Sequence, residues 1–112
     1  MPDIRKLTRA YVAAFDARDL DAVDALLAND FSLTDPSVTG LTPKSAVLKF
    51  IGGLFEENDR LSFAAHQILA DGDMSVIHFT LTLNDAVLDG VDVIEWKDGM
   101  MISMNAYLTA RD

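Results

Sequence analysis

Residues 61–110 read LSFAAHQILADGDMSVIHFTLTLNDAVLDGVDVIEWKDGMMISMNAYLTA. Apolar and polar side chains alternate here with a period of two, interrupted by three short polar turns. Leu61–Ala70, Met74–Asn84, Ala86–Trp96 and Met100–Ala110 are therefore expected as four strands. Asp71-Gly72-Asp73, Asn84-Asp85 and Asp98-Gly99 join them, and these residue types tolerate the backbone angles of tight hairpins. Strands joined this closely make an antiparallel meander.

Upstream the period lengthens to that of a helix. Ile4, Leu7, Tyr11, Ala14 and Phe15 fall on one apolar face. Asp19 is expected to cap a second, shorter helix with Leu20, Val23, Leu26 and Leu27 inward. Thr42-Pro43 reads as a third helix start, with Thr as cap and Pro in the first turn. Val47, Phe50, Ile51, Leu54 and Phe55 continue that helix. Gly52 and Gly53 lie inside it, each costing about 1 kcal/mol relative to Ala. Either a close backbone approach or an early helix end would explain them. Phe31–Asp35 reads as a short strand before the third helix. Helices first and a meander last predict an α+β fold. Its expected form is a cone: three N-terminal helices packed in a strongly curved, mostly antiparallel sheet, one domain over residues 1–112.

Composition removes several classes of function. Nine Lys and Arg against eighteen Asp and Glu give a net charge of −9, which repels nucleic acid and anionic membrane surfaces. The absence of cysteine excludes disulfides, thiolate catalysis and sulfur-ligated metals. No apolar run reaches the ~18 residues of a membrane span. Arg9, Asp16 and Arg18 break up the first helix, against a signal peptide. The expectation is a cytoplasmic protein.

Strand parity then suggests where the polar groups point. Asp35 shares a face with Phe31 and Leu33, and Asp92 with Ile94 and Trp96. Tyr11 falls on the apolar stripe of the first helix. Three proton-bearing groups thus aim at one core, and burying carboxyls without partners is costly. Purely structural accounts exist for each: Asp35-Pro36 can open a turn, a bulge can expose Asp92, and an inward Tyr is ordinary in a core. The apolar side chains expected to line a pocket around them are Phe15, Phe31, Phe50, Phe55 and Phe79. Leu81, Ile94, Trp96 and Met104 complete that wall. His66, midway between Ala64 and Ile68, could face the same pocket, whereas His78 alternates onto the outer face with Thr80 and Thr82. An inward His66 would favour a dehydratase or cyclase. Arg60 sits at a strand start, and no other strand carries an inward Arg.

The stretches Tyr11-Val12-Ala13-Ala14-Phe15, Asp19-Leu20-Asp21, Ala25-Leu26-Leu27-Ala28-Asn29-Asp30 and Thr34-Asp35-Pro36 resemble the opening of bacterial ketosteroid isomerases. Those enzymes belong to the nuclear-transport-factor-two-like, or SnoaL-like, superfamily of cone-shaped folds. Val91-Asp92 and Gly99-Met100-Met101-Ile102-Ser103-Met104 extend the resemblance over most of the chain. It implies that Asp35 is a general base. It also implies that Tyr11 and a protonated Asp92 hold the substrate oxygen; this family supplies a standard example of a carboxylic acid kept neutral to donate. Where some members place a tyrosine late in the third helix, this chain has Ile51, so any hydrogen-bond network is shorter.

Two functions follow from different classes. One is cofactor-independent proton transfer on a small hydrophobic carbonyl compound; the other is a non-catalytic ligand-binding or association module on the same scaffold. A homodimer through the outer sheet face is also expected, with Val91, Val93, Met101 and Tyr107 outward.

Overall fold

The structure, a computed structural model, describes residues 2–111. In chain order it contains α1 (Ile4–Asp16), α2 (Leu20–Leu26), β1 (Leu27–Thr34), α3 (Lys44–Glu57), β2 (Leu61–Asp71), β3 (Met74–Leu83), β4 (Ala86–Lys97) and β5 (Met100–Ala110). The strands form one sheet in the order β1-β5-β4-β3-β2. β1 runs parallel to β5, and every other pairing is antiparallel. The α+β expectation holds as a curved, unclosed, mixed sheet, with α1 packed over β2 and β3 and α3 against β1.

Local sequence explains most of the elements. Asp3 and Asp19 cap α1 and α2 by accepting from the amides of Lys6 and Ala22, each at 3.1 Å. Asp98 and Gly99 both take positive φ (53° and 78°), so the β4–β5 hairpin has the mirror-image turn that suits strand twist. The start of α3 differs from expectation. Pro43 occupies the cap position without a side-chain bond, and the Thr42 hydroxyl donates instead to the Asp30 carbonyl at 3.3 Å. Gly52 lies mid-helix facing α2, where a Cβ would sit 3.3 Å from Leu20 Cδ2, while a Cβ on Gly53 would meet nothing. β1 is also longer than expected. It begins at Leu27, directly after α2, and its pairing with β5 shifts between Leu27 and Ser32.

Two bulges set which side chains reach the concave face. In β2 the register shifts between Ala65 and Gln67, and in the β4–β5 pair it shifts at Glu95/Trp96, opposite Ile102. The second bulge turns Met101 inward, where it is fully buried, rather than outward beside Tyr107 as alternation predicts. A Cβ at Gly90 would meet the Tyr107 carbonyl at 2.5 Å and Leu108 Cβ at 2.7 Å, so β4 and β5 leave no room for a side chain at this point.

One part of the concave face is closed by a buried polar chain. Trp96 Nε1 donates to Ser75 Oγ at 2.9 Å, the Ser75 and Thr8 hydroxyls are hydrogen-bonded at 2.8 Å, and Thr8 donates to the Ile4 carbonyl at 2.7 Å. α1 is thereby pinned to β3 and β4. At its other end, Asp16 accepts from the Phe63 amide at 2.9 Å. Arg18 donates to the carbonyls of Phe55 and Asp59, which satisfies the end of α3.

Candidate active site

Between α1, α3 and the concave sheet lies a cavity of about 70 Å³. Its polar lining consists of Tyr11, Asp35 and Asp92; the other lining residues are aliphatic or aromatic. The three groups singled out by parity therefore meet on one cavity. Each arrives by a different route. Tyr11 sits mid-α1, one turn beyond the pinned Thr8. Asp92 stands on β4 opposite Ile77 and Ala106. Asp35 follows directly on the last residue of β1.

Asp35 is half-buried and does two things. Its Oδ1 accepts from the Ser37 amide (2.7 Å), the Ser37 hydroxyl (2.8 Å) and the Val38 amide (2.9 Å). That is the turn-capping role an Asp-Pro sequence suggests. Oδ2 has no hydrogen-bond partner among the described residues. One oxygen thus fixes the carboxyl, which lines the cavity.

Asp92 and Tyr11 are 4% and 3% exposed and form no hydrogen bond among the described residues. Burial, and then the neighbouring Asp35 charge, push the Asp92 carboxyl from 3.8 up to about 7. Burial and the Asp92 charge likewise push the Tyr11 hydroxyl well above the usual phenol value. Both are thus proton donors near neutrality, facing a space with no cationic side chain.

The apolar wall only partly matches expectation. Phe15, Phe31, Phe50, Phe79, Leu81 and Met104 line the cavity. Phe55 does not; it packs edge-on against Phe15, with ring centroids 5.1 Å apart. Ile94 and Trp96 share the face of Asp92 but lie farther along β4, and Trp96 is engaged with Ser75. His66 is on the outer face. The bulge puts His66 and Gln67 together opposite His78, so only Ile68 turns inward. His66 there bonds Thr80 at 2.7 Å and lies against the His78 ring. Arg60 is exposed and pairs with Asp85. Phe63 was missed, although its alternation with Ala65 places it inward. Its ring lies 5.0 Å from both Phe15 and Phe79 and joins the two halves of the wall. Among the described residues no group of three His, Asp or Glu side chains is placed to hold a metal ion.

The model of the SnoaL-like domain family matches residues 8–104. The chain belongs to that family. Solved structures agree with this SnoaL-like assignment. A candidate ketosteroid isomerase from Kribbella flavida is 27% identical with a TM-score of 0.81, covering 96% of this chain and 78% of its own. An NTF2-like protein of unknown function from Cytophaga hutchinsonii superimposes with a TM-score of 0.86 at 12% identity, over 97% and 92% of the two chains. A hypothetical protein from Catenulispora acidiphila with a ketosteroid-isomerase-like fold, solved in complex with trimethylamine, gives 0.77 at 14% identity, over 90% and 83%. No curated protein matches the SnoaL-like chain. No helix among the described residues is long and apolar enough to cross a membrane.

Proposed function

We propose that this protein catalyses cofactor-independent proton transfer on a small, uncharged, hydrophobic carbonyl compound. The observation that carries this reading is the cavity whose polar lining consists of one tethered carboxyl and two proton donors. Similarity to the Kribbella flavida candidate isomerase supports it. The free oxygen of Asp35 takes a proton from the carbon next to the carbonyl. The C–H electrons move into a new C=C bond, and the carbonyl electrons move onto oxygen. The Tyr11 hydroxyl and the protonated Asp92 donate to that enolate oxygen. Asp35 then returns its proton to another carbon of the conjugated enolate. Base and donors each contribute about 10²–10⁴-fold in such chemistry.

The cavity limits the substrate. About 70 Å³ accommodates roughly five water-sized groups, well under the ~300 Å³ of small drug-binding pockets. A short unsaturated ketone suits it better than a steroid. Pent-4-en-2-one is a direct test: the protein converts it to pent-3-en-2-one, followed by absorbance. Asp35→Asn abolishes the conversion while ketone binding persists, and Asp92→Ala slows it less because Tyr11 still holds the oxygen. An Asp35→Asn variant as fast as the parent rules out the mechanism.

We also propose that a second copy covers the outer sheet face. Leu69, Met74 and Tyr107 stand exposed there at 50%, 41% and 63%, beside Val76, Val91 and Val93.

A further inference from the structure

Asp92 is the only buried acid among the described residues, and no Lys, Arg or His reaches it. Three acids have salt-bridge partners among the described residues, and all three stand in solvent: Asp24 with Lys44 and Asp89 with Arg111, each at 2.7 Å, and Asp85 with Arg60. In the cavity two carboxyls converge with no cation, inside a wall that includes the rings of Tyr11, Phe15, Phe31, Phe63 and Phe79. Aromatic rings attract cations, most strongly where water is excluded. Inorganic cations need a shell of oxygen ligands, which this apolar wall does not offer. An ion whose charge is clothed in methyl groups meets both demands.

We propose that the cavity is a binding site for a small alkylammonium ion, held by the Asp35 and Asp92 carboxylates within the aromatic wall. The proposal rests on the cavity assigned above but on no catalytic step in it. Asp92 faces Asp35 beyond β1 and Tyr11 on α1; the lining residues from α3, β3 and β5 are apolar. Its carboxyl ionises at about 7, so the cation binds more tightly as pH rises through that value. Carbonyl chemistry at the same site needs Asp92 protonated and has the opposite dependence.

The test uses tetramethylammonium, whose charge does not titrate, against tert-butanol, a neutral molecule of similar size. Titration is followed by the ¹³C-methyl signals of methionine. Met104 lines the cavity, and Met74, on the outer face, reports non-specific binding. The Met104 signal should shift and the Met74 signal should not. Tetramethylammonium should bind at least tenfold more tightly than tert-butanol at pH 8.5. Its affinity should fall by up to ~30-fold at pH 5.5, as the ionised fraction of Asp92 sets the competent population. Asp92→Asn should remove that pH dependence, with folding checked by circular dichroism. Equal affinities for the two probes, pH-independent binding by the parent protein, or a shift at Met74 alone overturns the proposal. Loss of isomerisation with cation binding intact would refute the catalytic reading and leave this one standing.

Discussion

Replacing Asp92 with Asn keeps the side-chain shape and removes the acid, so its effect on stability isolates the cost of the buried carboxyl. In the folded protein this group ionises at about 7 and at 3.8 when unperturbed. Below 3.8 both folded and unfolded chains carry the proton, and Asp92 costs nothing electrostatically. Between 3.8 and about 7 the unfolded chain releases the proton while the folded chain keeps it, so stability falls as pH rises. Above about 7 both are ionised and the penalty is constant. A window of about three pH units at 1.36 kcal/mol each amounts to about 4 kcal/mol. Asp92→Asn should therefore match the parent near pH 4 and be more stable by about 4 kcal/mol at pH 8.5. Urea unfolding followed by fluorescence of the single tryptophan, Trp96, measures this directly. At slopes of about 1–3 kcal/mol/M, typical of small domains, the midpoint gap at pH 8.5 is roughly 1–4 M urea. Effects of pH on the exposed acids cancel between the two proteins. A difference that stays within 1 kcal/mol from pH 4 to 8.5 would refute the claim that Asp92 is buried without a partner.

Other substitutions probe separate parts of the structure. Gly90→Ala forces a Cβ against the Tyr107 carbonyl and Leu108, and should lower unfolding free energy by about 1–3 kcal/mol in the same urea assay. Ser75→Ala leaves the buried Trp96 N–H without its acceptor, costing about 1–3 kcal/mol and shifting the native emission spectrum. His66→Ala should leave isomerisation of pent-4-en-2-one within twofold of the parent, because the ring lies outside the cavity; a tenfold loss would return it to the chemistry. Val91→Lys on the outer face should yield a monomer by analytical ultracentrifugation where the parent is a dimer. A parent protein that is monomeric at high concentration removes the dimer proposal.

What alternation and capping could decide was legible in the chain. The period-two run fixed four strands and their turns, because hairpin pairing depends on residues close in sequence. Asp19 and the apolar stripe of α1 were legible for the same reason. Parity also placed Asp35 and Asp92, and helical spacing Tyr11, toward one interior. Alternation failed beyond His66, where Ile68 changes face, and at Met101. A bulge adds one residue to a strand and reverses every face beyond it, and only pairing with the neighbouring strand decides where it falls. The parallel β1–β5 pairing, the closeness of Leu20 to Gly52 and the size of the cavity likewise depend on contacts between distant segments. The unpaired state of Asp92 has the same origin. The sequence supplies an acid on an apolar face, but only the assembled cone determines that no cationic side chain among the described residues reaches it.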